Sequence, residues 1–279
     1  MNFLLQRTFI VLLAPFILCV LPTSAVSQHR VAKLSTPDDL KAVFASVPCD
    51  DKDRLNAAKA LFEKAGAPAT SLSVEKYKNV ENLVITKAGT SREKIVIGAH
   101  YDKVADGCGA IDNWTGIVTL AHLYASVKDT AFEKTLIFVA FGKEEKGLIG
   151  SRAMAESLSK EEVGEYCAMI NMDSFGLSGP QVLDNASSKK LRDLVEEMAK
   201  ETKIPFGHAS VAADSDSSSF LKKNIPAVTI HGLNNDWPKI LHGRQDQAGR
   251  INAVSVYLGY RLTLAVMSRL DSTVCNAYR

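Results

Sequence analysis

Short apolar runs and helical segments take turns along most of this chain, and that alternation limits its fold more than any other feature. "NLVIT", "KIVIGA", "TLIFVAF", "YCAMINM" and "PAVTI" read as strands. "TGIVTLAHLYASV", "GSRAMAESL", "SKKLRDLVEEMAKET" and the long closing "INAVSVYLGYRLTLAVMSRL" read as helices set among them. Strands and helices in alternation imply a largely parallel sheet covered on both faces, so the pattern predicts an α/β fold. The expectation is a single domain with a mostly parallel, mixed β-sheet flanked by helices on both faces. At 279 residues and 46% hydrophobic composition, the chain has enough apolar material for one sizeable core. Upstream, Ser35 or Thr36 is placed to cap a first helix, and "DKDRLNAAKALFEKAGAPA" reads as a second, stopped by Gly66 and Pro68.

The first residues have a different character. Arg7 precedes an apolar run from Phe9 to Leu21, followed by small residues with a break after Ala25 or Ser27. That is the layout of a secretory signal peptide over residues 1–27, with residues 28–279 as the exported domain, periplasmic or extracellular. An uncleaved anchor is the rival, disfavoured by the short run and by Pro15 within it. Removing Arg7 takes the balance from 33 basic against 31 acidic residues to 32 against 31. Such a balance points to neither nucleic acid nor a stable membrane partner. Four cysteines remain, Cys49, Cys108, Cys167 and Cys275. They allow two disulfides in any of three pairings, or free thiols, and no CxxC spacing marks a thiolate metal site.

In parallel sheets ligands gather at the carboxyl ends of the strands. His100 and Asp102 follow "KIVIGA", Glu144 and Glu145 follow "TLIFVAF", and Asp173 ends "YCAMINM". Asp112 lies in a glycine-rich loop before a helix, and His242 lies between the last strand and the last helix. A lone aspartate after a strand is ordinarily a cap or a turn residue. A set of oxygen and imidazole donors at one sheet edge, without cysteine, suits a borderline cation such as zinc.

"GAHYD", "GAIDNWTG", "EEKGLIGS", "NMDSFG" and "HGRQD" follow one another in the order of a known motif series. Over roughly residues 78 to 265 the chain resembles the di-zinc aminopeptidase family of clan MH, zinc exopeptidases that include bacterial leucyl aminopeptidases. Glutamate carboxypeptidases and glutaminyl cyclases are relatives of that family. The resemblance implies two Zn2+ ions bridged by Asp112. Glu145 and His242 would complete one site, His100 and Asp173 the other. Glu144 would be the general base, and Asp102 would brace His100. It also makes Asp112–Asn113 the candidate for a cis peptide. The substrate implied is a peptide with a free N-terminus, cut by a hydroxide held between the ions.

The chemistry is consistent with that assignment. Three carboxylates and one hydroxide balance the four charges of two zinc ions, and zinc pulls the pKa of bound water from 15.7 towards ~7. Adjacent carboxylates on an extended segment point opposite ways, so Glu145 can ligate while Glu144 faces the water. Ligating imidazoles need orienting partners, for which Asp102 and Asp246 are spaced. His242 is preferred to His231 as ligand because only His242 has such an aspartate downstream. His122, His208 and His29 carry less. In "DSDSSSF" Ser217 stands where relatives often place a histidine, so that histidine's role does not transfer. "NWT" at 113–115 and "NAS" at 185–187 match the glycosylation pattern, the first discounted because it adjoins the site. Two rivals remain: a single-zinc glutaminyl cyclase, and a non-catalytic binding module that keeps the fold.

Overall fold

The expected alternation of strands and helices is present in the computed structural model, which describes residues 33–211 and 213–279. The leader expected over residues 1–27 lies outside the described residues. In chain order the elements are α1 (Pro37–Phe44), α2 (Asp51–Lys64), β1 (Leu72–Tyr77), β2 (Val80–Lys87), β3 (Lys94–His100), α3 (Thr115–Val127), β4 (Thr135–Phe141) and α4 (Ile149–Ser157). They continue with α5 (Lys160–Glu165), β5 (Tyr166–Asp173), β6 (Gln181–Leu183), α6 (Lys189–Thr202), β7 (Gly207–Ala209), α7 (Ser217–Leu221), β8 (Ala227–His231) and α8 (Ala253–Asp271). Thr36 caps α1 in a reciprocal pair with Asp39, and Gly66, at φ +92°, follows α2 in a conformation only glycine adopts freely.

The eight strands form one sheet in the order β1-β2-β4-β3-β5-β8-β6-β7. Its centre, β4-β3-β5-β8, is parallel. β2 runs antiparallel to β4, β1 to β2, and β6 to β8, while β7 is parallel to β6. The central strands are apolar on both sides because helices cover both. On β3 and β4, Ile95, Ile97, Ala99, Leu136, Phe138 and Ala140 face the larger core, with α1, α2, α3, α6 and α8. Their alternates Val96, Ile137, Val139 and Phe141 face the smaller core, with Met154 and Ala155 of α4 and Phe220 of α7. This is the period of two expected of a pleated strand.

Both disulfides are formed, as Cys49–Cys108 and Cys167–Cys275. The first ties the glycine-rich loop before α3 to the start of α2. The second ties β5 to the segment after α8. Among the described residues, no helix is long and apolar enough to cross a membrane.

Candidate metal centre

The parallel strands end at one rim, and the loops that leave them carry the candidate residues. His100 closes β3 and Asp173 closes β5. Asp112 lies in the wound segment Ala110–Trp114, and the Asp112–Asn113 peptide is cis. Buried hydrogen bonds hold this segment. Asn113 donates to the Met172 carbonyl at 2.8 Å and accepts from the N–H groups of Gly116 and Ser174 at 3.0 and 3.1 Å. Gly116 has to be glycine, since a Cβ there would lie 2.4 Å from Asn113 Oδ1. Asn113 is fully buried, so the folded chain offers no room for a sugar at the "NWT" match.

Asp112 is shared between two imidazoles. Its Oδ1 is 3.1 Å from His100 Nε2 and its Oδ2 is 3.1 Å from His242 Nε2. His100 Nε2 is also 3.4 Å from Asp173 Oδ1, and His242 Nε2 is 3.2 Å from Glu145 Oε2. Behind them, Ser215 donates to Asp173 Oδ2 at 2.6 Å. His100 Nδ1 lies 3.1 Å from the Asp102 carbonyl and 3.7 Å from its carboxylate. The Asp102 carboxylate is engaged elsewhere, accepting the N–H groups of Glu144 and Glu145 at 2.9 and 3.3 Å.

Two expectations are corrected here. Glu144 and Glu145 do not lie on an extended segment: the N–H groups of Gly147 and Leu148 both donate to the Glu144 carbonyl, closing a turn. Asp246 does not orient His242. Its carboxylate accepts the N–H groups of Ile111 at 2.6 Å and Asp112 at 3.1 Å, so it fixes the backbone of the shared aspartate. Ser217 is turned into the fold, bonded to the Ala186 carbonyl and to Thr229. His231 stands apart from the cluster, with its Nδ1 accepting from Leu233 N–H. His122 bonds Ser35 and His208 bonds Asp184.

Arg54 gave no signal in the sequence, because on a polar helix it reads as a surface residue. It is fully buried, donates to the carbonyls of Pro48, Tyr101, Cys108 and Gly109, and lies over the Trp114 ring. It therefore ties α2 to the loops after β3 and before α3. Burial pulls its guanidinium down to about 10, against the opposing pull of Asp51 and Asp112.

The electrostatics are those of a site with surplus negative charge. Burial disfavours a charged His100, yet Glu144, Asp102, Asp112 and Asp173 hold its pKa well above the ordinary range. Hydrogen bonds to Asp112 and then Glu145 raise His242 to about 10. Burial raises Glu144 and Glu145, and the neighbouring acids add to this. Asp112, although buried, is held below the carboxylate range by its bonds to the two imidazoles. Glu145 Oε1 is buried without a hydrogen-bond partner among the described residues. Ligand atoms of His100, Asp112 and Glu145 lie within 4.8 Å of one another, as do those of His100, Glu144 and Asp173. Paired carboxylates, two imidazoles and an orphaned oxygen fit cations of borderline character.

Residues 82–266 match the family model described as peptidase family M28. The chain belongs to peptidase family M28. Among curated relatives, this M28 chain is 24% identical to "Leucine aminopeptidase 2" of Trichophyton equinum, an alignment covering 82% of the chain and 57% of that relative. The chain thus spans little more than half the length of such relatives. A structure of a zinc aminopeptidase from Bacillus subtilis superposes with a TM-score of 0.62 at 21% identity, covering 68% of this chain and 49% of that one. An Acidobacteriales bacterium glutaminyl cyclase superposes at 0.72 with 17% identity, covering 84% and 93%.

Proposed function

We propose that this M28 chain is an exported aminopeptidase that holds two zinc ions and removes N-terminal residues from peptides. The observation that carries the proposal is the division of Asp112, one oxygen 3.1 Å from each of two imidazoles. A carboxylate so divided suits a ligand shared by two cations, which need a common anion to blunt their repulsion. Glu145 and His242 would complete one site, and His100 and Asp173 the other. Bound zinc supplies Lewis acidity, polarising a carbonyl and bringing the pKa of water towards ~7.

The chain's own residues do the remaining work. Glu144, its pKa raised by burial, takes the proton of the attacking water and returns it to the leaving amine. Asp102 fixes the Glu144 and Glu145 backbone through its carboxylate and orients His100 through its carbonyl. A free α-amino group binding among the metal ligands would confine cleavage to chain ends. The names of the matched leucine aminopeptidase and zinc aminopeptidase support this assignment. Residues 28–279 would form the catalytic domain behind a leader over 1–27, and two disulfides suit an oxidising periplasmic or extracellular compartment.

A second assignment, single-zinc glutaminyl cyclase chemistry, is favoured by one observation, the match over 93% of the cyclase chain. Amino-acid anilides with chelator and zinc add-back test both. Glu144→Ala should lower kcat by ~10²–10⁴-fold while two zinc ions per chain remain bound. Unchanged hydrolysis in that variant would overturn the proposal, and one zinc per chain with pyroglutamate release would replace it with the cyclase.

A further inference from the structure

Behind the proposed metal ligands runs a short chain of buried polar side chains that takes no part in the ligand set. Asn171 and Asp173 stand two apart on β5, so their side chains leave the same face of the strand. Ser215, in the loop before α7, spans them. Asn171 Nδ2 donates to Ser215 Oγ at 2.6 Å, and the Ser215 hydroxyl donates to Asp173 Oδ2 at 2.6 Å. Asn171 and Ser215 are both fully buried. Chemistry fixes the direction of this chain: a carboxylate only accepts, so the Ser215 proton must go to Asp173, and its lone pairs are left for the Asn171 amide. The same amide reaches Thr229 Oγ1 at 3.3 Å, on the neighbouring strand β8.

The consequence falls on Asp173, whose two oxygens are unlike. Oδ2 is committed to Ser215 by a bond of the short, charge-assisted kind. Oδ1 faces His100 Nε2 at 3.4 Å and has a longer contact, 3.2 Å, to the hydroxyl of its neighbour Ser174. Glu145 is the contrast. One of its oxygens faces His242 Nε2 at 3.2 Å, and the other, Oε1, is buried without a hydrogen-bond partner among the described residues. A carboxylate ligand whose far oxygen is hydrogen-bonded keeps its orientation, and losing such a partner costs roughly 10–100-fold in metal affinity. The two proposed zinc sites therefore differ in how their carboxylates are held.

We propose that Ser215 is a positioning residue for one of the two zinc sites: its hydroxyl, aligned by Asn171, ties back Asp173 Oδ2 and leaves Oδ1 to face the ion that Asp173 would share with His100. The proposal rests on the two-zinc reading of the centre, and it concerns affinity at the site of His100 and Asp173, not at that of Glu145 and His242.

The test is zinc titration of the metal-free protein against a competing chelator, read as two stepwise constants, with circular dichroism to confirm the fold. Ser215→Ala should weaken one step by roughly 10–100-fold and leave the other unchanged. Ser215→Thr, which keeps the hydroxyl, should restore the affected step. The loss should persist in a His242→Ala background, where the other site lacks a ligand. Equal losses at both steps, or no loss at either, would overturn the inference while leaving the two-zinc reading standing. If Ser215→Ala does not fold, Asn171→Ala decides: it keeps the hydroxyl but removes the amide that aligns it, so it should weaken the same step by less, and no selective loss there would overturn the inference. One zinc per chain in the wild type would overturn both.

Discussion

Replacing Asp246 by asparagine separates two roles for this residue, fixing the Asp112 backbone and orienting His242. The carboxylate accepts Ile111 N–H at 2.6 Å and Asp112 N–H at 3.1 Å, so the isosteric amide keeps one acceptor and turns an NH2 group towards the other N–H. Losing one charge-assisted hydrogen bond and leaving a buried donor unpaired costs about 2–4 kcal/mol. Burial already pushes the Asp246 carboxyl up to about 6, so a neutral side chain recovers part of the desolvation. The lower part of the range, about 2–3 kcal/mol, is expected, lowering the melting temperature of the metal-free protein by about 4–12 °C for a domain of this size. The assay is thermal denaturation by circular dichroism after chelation, paired with zinc titration. An unchanged metal-free melting temperature, with weakened zinc binding alone, would refute the assignment of Asp246 to the Asp112 backbone and return it to His242.

Two other perturbations test the scaffold and the charge of the site. Arg54→Met removes donors from the carbonyls of Pro48, Tyr101, Cys108 and Gly109. Relief of a buried charge offsets part of that loss, leaving about 2–4 kcal/mol and a melting temperature lower by about 4–16 °C; an unchanged melting curve would mean the loops hold themselves. In the metal-free fold His242 titrates at about 10 rather than at its ordinary 6.5, because Asp112 and Glu145 accept its hydrogen bonds. Its stabilising contribution is complete below pH 6.5 and is lost as pH rises through about 10, so the metal-free melting temperature should fall across that window. Zinc binding at pH 7 should correspondingly release protons, seen by calorimetry in buffers of different ionisation enthalpy; heats independent of the buffer would count against His242 as a ligand.

Much of the fold was legible because its signals are local. The five apolar runs expected as strands became β2, β3, β4, β5 and β8, since a strand covered on both faces needs an unbroken apolar run. β1 escaped notice because it is a half-exposed edge strand, "LSVEKY". β6 and β7 escaped because three residues are too few to show a period. They are strands only because β8 offers an open edge to β6, and β6 in turn to β7.

The candidate site divides the same way. His100, Asp102, Asp112, Glu144, Glu145, Asp173 and His242 could be named from motif order and their places after strands, since strand ends and the loops that follow them collect at one rim. What each side chain touches could not. Asp246 faces the Asp112 backbone rather than His242, Glu144 and Glu145 share a turn fastened by Asp102, and Arg54 leaves its helix for the interior. His231, one strand end among five, acquires a fixed tautomer only through the fold of the following loop. The linear chain determined which residue types reach the rim, because periodicity and spacing act over neighbouring positions. Only the tertiary structure decided which donor meets which acceptor, because hydrogen bonds such as those accepted by Asp102 from Glu144 and by Asp246 from Ile111 join residues 42 and 135 positions apart and exist only once the sheet brings their loops together.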